Sequence, residues 1–240
     1  MDKNKLATLF AVFIILIVPF GLAYYWITKP RPTVDKLMIV GNRQLVDKVD
    51  TATGETYKDT LFHTISDFKF VSHLGDTITN DILDDKVLIT DFFFTECPTI
   101  CIDMSKNMAK IQEEFIAEPH VMLLSHTVDP ERDSVGKLYE YSERYNVNPK
   151  KWLLLTGEKK ELYDMARNSY LISATIPGDG GPNDFIHDQH FVLVDKEGRV
   201  RGFYDGTIDE EVERCISDTK KLLVSYIIMP PKERKKKKKD

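Results

Sequence analysis

The sequence predicts an α/β sandwich built on a central mixed sheet, with one N-terminal transmembrane helix ahead of it. Three observations carry that expectation. Near-continuous apolar runs at 87–94 and 121–128 alternate with stretches of helical periodicity at 102–116 and 134–145, the pattern of strands covered on both faces by connecting helices. Two short strands joined by Asp195-Lys196-Glu197-Gly198, then a last helix, close the folded part. At the other end, residues 6–27 run for 22 positions without a charge, enough as helix to cross a hydrocarbon core of about 30 Å. The chain has 240 residues, 42% hydrophobic and 30% charged, which suits one ordinary globular domain with additions at its ends.

In chain order, residues 1–28 read as a membrane anchor. Tyr24, Tyr25 and Trp26 close the apolar run with an aromatic cluster of the kind found at membrane interfaces. A cleaved signal peptide is the rival reading, but the run exceeds the usual apolar region of about 7–15 residues and no small-x-small site follows. Basic residues on both sides, Lys3 and Lys5 before and Lys29, Arg31 and Lys36 after, leave topology undecided by charge. Residues 29–60, with Pro30 and Pro32 and a short apolar patch at 37–40, read as a linker leading into a domain over 61–229. A hairpin opens the domain, with strands at 68–71 and 76–79 around Ser72-His73-Leu74-Gly75, and a helical turn follows at 80–83. After the strand at 87–94, Met104, Met108, Ile111 and Phe115 recur on one side of the helix at 102–116. Asp129-Pro130 stops the second strand, and Ser134 is placed to cap the next helix. A short strand at 152–156 and a helix at 159–170 come next. Pro177, Gly178, Gly180, Gly181 and Pro182 predict an irregular loop between 173 and 184. Strands at 191–194 and 199–204 and a helix at 209–227 complete the domain. With two cysteines at the first strand-to-helix junction, the arrangement reads as thioredoxin-like.

Those cysteines carry the chemistry. Cys97 and Cys101 are separated by three residues, not by the two of a C-x-x-C redox pair. Residues four apart share a helix face, so both sulfurs can converge on one ion. A thiol near a helix N-terminus is favoured as thiolate, the form that binds soft metals and exchanges disulfides. Glu96 beside Cys97 is expected to oppose thiolate formation, which argues against a peroxidase. The bland reading is an inert bridge or two small buried apolar groups. Two thiolates rarely complete a metal site, and the candidate third ligands are His63, His73, His120, His126, His187 and His190. His187 and His190 stand out because they follow the glycine-rich loop and precede a core strand. Strand alternation sets Phe191 and Leu193 on one face and Val192 and Val194 on the other, and His187 lies outside that pattern. Two thiolates and an imidazole suit copper by softness, whereas a structural zinc normally takes a fourth ligand.

The segment Thr95-Glu96-Cys97-Pro98-Thr99-Ile100-Cys101 resembles the C-P-x-x-C signature of the SCO/SenC family of copper-binding, thioredoxin-like proteins. Thr127-Val128-Asp129-Pro130-Glu131-Arg132-Asp133 is similar to that family's V-D-P-x-R-D block. His187, eleven residues before Gly198, stands where the family's histidine precedes its V-D-x-x-G hairpin. The resemblance spans about residues 65–226, and a single N-terminal anchor is also typical of these proteins. It implies a copper ion, Cu(I) or Cu(II), bound by Cys97, Cys101 and His187. It also implies help in building the binuclear copper centre of cytochrome c oxidase, with the copper-bearing oxidase subunit as partner. Ile102 stands where many relatives have proline, which alters the loop but removes no ligand.

The leading expectation is therefore a membrane-anchored copper chaperone rather than an enzyme in the strict sense. The alternative is a thiol–disulfide oxidoreductase that uses Cys97 and Cys101 as its redox pair, reducing the oxidase subunit's cysteines without copper delivery. Either role puts the domain outside a bacterial inner membrane, on the periplasmic side, or in the mitochondrial intermembrane space. The lack of an Arg/Ser-rich leader favours the bacterium. Nucleic acid is excluded as partner: residues 232–240 carry a net +5, so the rest of the chain carries −10 of the overall −5. The basic tail, 230–240, reads as solvated chain that can also meet anionic lipid headgroups. Cys215, beside Val212 and Ile216 in the last helix, reads as a buried free thiol. In the Asp129 block, Pro130 ends a strand, Arg132 pairs with a carboxylate, and Asp133 or Ser134 caps a helix.

Overall fold

The computed structural model describes residues 13, 17–25, 37–51, 53–172, 186 and 188–228. Two compact units divide the chain, Met1–Asp35 and Lys36–Asp240. In the first, residues 17–25 are helical, and most of the rest of the expected anchor lies outside the described residues. Among the described residues no helix is long and apolar enough to cross a membrane. The glycine-rich loop at 173–184 and the basic tail at 230–240 also lie outside them.

The second unit is the sandwich. Its elements run β1 (Arg43–Val49), β2 (Thr56–Phe62), β3 (Lys69–Ser72), β4 (Thr77–Thr79), β5 (Val87–Phe93), α1 (Ile100–Glu114), β6 (Val121–Thr127), α2 (Val135–Arg144), β7 (Trp152–Thr156), α3 (Lys159–Asp164), β8 (His190–Val194), β9 (Val200–Asp205) and α4 (Asp209–Ile228). A seven-stranded sheet has the order β4-β3-β7-β6-β5-β8-β9. β5 pairs parallel with β6, and β6 with β7, while the strands at both ends pair antiparallel. This is the mixed sheet expected from the pattern. β5 and β6 are buried at every position, as their unbroken apolar runs require.

Alternation sorts the core into two layers. Val87, Ile89, Phe93, Val121, Leu123, Phe191 and Leu193 face a layer with Met104, Met108 and Ile111 of α1, Leu138 and Tyr141 of α2, and Val212, Cys215 and Ile216 of α4. Leu88, Phe92, Met122, Leu124, Val192 and Val194 face the other, with Leu162 and Tyr163 of α3 and Phe68 and Phe70. Cys97 and Cys101 belong to the first layer. Cys215 is fully buried there, as expected.

Three local expectations are corrected. The linker expected over 29–60 holds most of a two-stranded hairpin, β1–β2, which runs from Arg43 to Phe62 and is exposed along most of its length. Helix α1 begins two residues earlier than expected, so Cys101 lies inside its first turn. The helix expected over 159–170 is α-helical only to Asp164, and residues Met165–Ser169 form a wider π turn. That turn buries Met165, Ala166 and Ser169 together.

The apolar patch at 37–40 docks on the β8–β9 hairpin. Val40 N–H donates to the Val200 carbonyl at 2.8 Å, and the Arg201 guanidinium reaches the carbonyls of Leu37 and Met38. Arg201 is held in turn by Asp195 at 2.8 Å, which also takes Arg199 Nε at 2.8 Å. Asp195 is fully buried at the hairpin turn, where it accepts the N–H groups of Glu197 and Arg199. Gly198, at φ +76°, supplies the left-handed residue that the turn needs. Removing one member of a buried ion pair leaves the other charge unmatched. We expect Asp195→Ala to lower stability by about 3–5 kcal/mol, read as a fall in the urea midpoint. An unchanged midpoint would show that the two arginines find water instead.

Candidate metal centre

The centre is built where β5 runs out of the sheet and α1 begins. Phe93 is the last residue of β5, and Cys97 N–H donates back to the Phe94 carbonyl at 3.3 Å. Thr99 precedes α1 without a side-chain cap. The Cys97 sulfur occupies that role: it accepts the Cys101 N–H at 3.5 Å and lies 3.9 Å from Thr99 Oγ1. Cys97, Cys101 and Cys215 are all free thiols and all buried.

The two thiols are shifted in opposite directions. Burial alone raises Cys97, but hydrogen bonds from the backbone at Cys101 and Thr99, and from the Cys101 and Thr99 side chains, outweigh it and hold the thiol below its usual range. Burial pushes the Cys101 thiol far up, reinforced by its hydrogen bond to Cys97 and by the nearby charge of Asp91. Glu96 does not oppose the thiolate as expected. Its carboxylate turns to Lys137 at 3.0 Å and Arg132 at 3.8 Å, and these cations hold its own pKa down. Glu96, Lys137, Glu140 and Arg144 line an open cleft that has Cys97 in its wall.

Below the cysteines, Asp91 projects from β5 into the same layer. It is buried, and its Oδ1 finds no hydrogen-bond partner among the described residues. Burial pushes it up to about 7, moderated by a hydrogen bond to Ser125. The Ser125 hydroxyl is itself held by Trp152 Nε1 at 2.8 Å. A lone carboxyl inside an apolar strand was the available sequence signal for this residue.

Of the two cap candidates offered by the sequence, Asp133 and Ser134, the helix uses the second. Ser134 is the cap of α2, accepting the Lys137 N–H at 3.4 Å. Asp133, 1% exposed, instead accepts Thr95 N–H at 3.1 Å, Thr95 Oγ1–H at 2.5 Å and Thr127 Oγ1–H at 2.5 Å. It therefore ties the cysteine loop to the end of β6. Arg132 pairs with Asp129, as expected.

The described histidines are engaged away from the cysteines. His63 bonds the Ser169 carbonyl at 2.8 Å, and His73 Nδ1 accepts the Leu154 N–H at 3.2 Å. His120 meets Asp85, and His126 is buried against Thr90 at 3.1 Å, where burial lowers its pKa to about 3. His190 bonds Asp188 at 2.9 Å and heads β8 in the Val192–Val194 register, opposite the cysteine layer. His187 lies outside the described residues, but Ile186 before it is buried in the second layer. Among the described residues no three His, Cys, Asp or Glu side chains group as a metal site. Two soft, reduced sulfurs within one helical turn are the donor set that copper favours.

Comparison with known proteins finds the SCO1/SenC family model matching residues 57–224. The SCO1 protein homolog of Bacillus subtilis (strain 168) is 31% identical over 169 residues, 70% of this chain and 86% of that protein. Among solved structures, BsSco, a member of the Sco family of cytochrome c oxidase assembly proteins with an identified disulfide switch, is 29% identical over 68% of this chain and 94% of that chain (TM-score 0.58). Arabidopsis thaliana ScoI with copper bound is 26% identical over 66% of this chain and 98% of that chain (TM-score 0.51).

The thiol asymmetry yields a test in metal-free protein. Iodoacetamide should alkylate Cys97 more than about tenfold faster than Cys101 or Cys215, because the thiolate reacts. The Cys97 rate profile should have its midpoint well below those of Cys101 and Cys215, with reactivity lost as pH falls through it. Equal rates at the three cysteines would contradict the hydrogen-bonded thiolate.

Proposed function

The chain belongs to the SCO1/SenC family, and from that premise we propose that it is a membrane-anchored copper chaperone binding copper through Cys97, Cys101 and His187. Its client, on this reading, is the copper-bearing subunit of cytochrome c oxidase, whose binuclear centre it helps to assemble. The observation that carries the proposal is the pair of reduced, buried sulfurs in one helical turn, with hydrogen bonds that make Cys97 the more acidic of the two. Copper is cargo here. Relatives described as copper-bound and as oxidase assembly proteins support the assignment. The uncharged run at 6–27 supports a single-span anchor, with the domain at 61–229 outside a bacterial inner membrane.

The residues have separable tasks. Cys97 offers the more acidic sulfur and lines the open cleft, so it meets an incoming ion or partner thiol first. Cys101 keeps its proton until the ion's positive charge or a neighbouring base removes it. His187 contributes the neutral imidazole that two thiolates lack. Phe93 and Tyr141 wall the inner side with apolar surface and limit water.

The opposite thiol shifts also favour a second reading, disulfide exchange. Cys97 thiolate attacks one sulfur of a partner disulfide, forming a mixed disulfide and releasing the partner's other sulfur as thiolate. Cys101 loses its proton and attacks the Cys97 sulfur, releasing the second partner thiolate. The partner gains two electrons and the Cys97–Cys101 pair is oxidised to a disulfide. No imidazole is needed for this cycle, so the two readings part at His187.

Copper titration of the reduced full-length chain in detergent, under a competing Cu(I) chelator, distinguishes them. The parent should bind one copper, and Cys97→Ser or Cys101→Ser should abolish tight binding. His187→Ala should weaken binding at least about tenfold, since even the loss of an outer-shell partner costs roughly 10–100-fold. Unchanged affinity in His187→Ala would sink the ligand assignment. A parent that binds no copper would leave disulfide exchange as the function.

A further inference from the structure

Two consecutive residues at the end of β6 are tied, one to the cysteine loop and the other, through Tyr163, to Ile186. Thr127 donates its hydroxyl to Asp133 at 2.5 Å, and Asp133 holds the N–H and hydroxyl of Thr95, two residues before Cys97. Val128, the next residue, donates its N–H to the Phe93 carbonyl at 2.8 Å, at the root of the cysteine loop. Its own carbonyl accepts the hydroxyl of Tyr163 on α3 at 2.8 Å. The same Tyr163 oxygen accepts the N–H of Ile186 at 3.5 Å. Ile186 immediately precedes His187 and is itself buried, as is Tyr163.

We propose that Thr127 and Val128 form a common fixture for the copper site, with Asp133 and Tyr163 as its two positioning residues. The proposal rests on the copper-binding reading above and deepens it. Asp133 sets the cysteine half and Tyr163 sets the backbone that leads into the third ligand. The physical reason for such a fixture is that Cys97 and His187 lie far apart in sequence. Each segment needs an anchor of its own, and a metal gains affinity when its donors are ordered before it arrives. Asp133 suits the first task because a buried carboxylate accepting several donors holds the loop by charge-assisted hydrogen bonds. Tyr163 suits the second because one hydroxyl both donates and accepts, bridging β6 to the residue before His187. Neither residue is a ligand, and neither bears a sulfur or imidazole.

Two conservative substitutions in the reduced full-length chain test the fixture, read by copper release to a Cu(I) chelator, Cys97 alkylation in metal-free protein, and thermal midpoint. Tyr163→Phe keeps the buried ring. It should speed copper release at least about twofold, and up to roughly tenfold for each of the two hydrogen bonds it removes, and leave Cys97 alkylation as in the parent. In a His187→Ala background the same substitution should have no further effect on release, because its target is gone. Asp133→Asn should change both Cys97 alkylation and copper release by a similar factor. If Asp133→Asn does not fold, Thr95→Val removes one donor only and reads the same two rates. Parent-like release in Tyr163→Phe, or an equal effect with and without His187, would overturn the Tyr163 half. Parent-like alkylation and release in the folded Asp133→Asn or Thr95→Val protein would overturn the other half. A parent that retains no copper is a different result: it removes the copper-binding reading, and the fixture with it.

Discussion

The first turn of an α-helix presents amide protons that no carbonyl of the helix can accept, and in this chain a sulfur takes one of them. Thr99 precedes α1 without capping it, and the Cys97 sulfur receives the Cys101 N–H. That single bond joins the two cysteines through the backbone as well as through space. It lowers the charge cost of a Cys97 thiolate while burial raises the cost for Cys101. The pair therefore carries one acidic sulfur and one that holds its proton. Such a pair is ready to accept a soft ion at the first sulfur and to close around it with the second.

The rest of the fold keeps that junction in register. β5 is locked between β6 and β8, so the point where the chain leaves the sheet is fixed. α1 is pinned by Met104, Met108 and Ile111 against the sheet. Charged groups at the rim pair with one another: Glu96 meets Lys137 and Arg132 instead of facing the sulfur. Among the described residues, Asp91 is one of three buried side chains with an unpaired polar atom, and burial favours its neutral form. Its folded pKa lies above the unfolded value near 3.9. Its cost to stability is therefore absent at low pH and grows as pH rises through that window toward about 7.

Much of this was legible because it depends on local pattern. β5 and β6 are buried on both sides, and their apolar runs say so directly. The alternation of Phe191 and Leu193 with Val192 and Val194 divides the layers as read. Cys97 and Cys101 meet because four residues make about one helical turn. What escaped depends on contacts distant in sequence or on surfaces with no one-sided pattern. The β1–β2 hairpin exposes both faces, so its residues show no amphipathic signal. The π turn at Met165–Ser169 answers to packing around Ala166 and Tyr170, not to spacing. Asp133 and Ser134 were both readable as the cap of α2, and Ser134 takes that place. With Ser134 serving as cap, the carboxylate was free to hold Thr95, 38 positions away. His190 resembled a ligand by position, yet its register turns it to the other side of the sheet.

X-ray absorption at the copper edge of the Cu(I)-loaded full-length chain tests the central claim most directly, because it reads the donor atoms themselves. The donor set of Cys97, Cys101 and His187 predicts a first shell of two sulfurs and one imidazole nitrogen, with the nitrogen and its outer-ring scattering lost in His187→Ala. A shell of sulfur alone, or an unchanged imidazole signal in that variant, would contradict it.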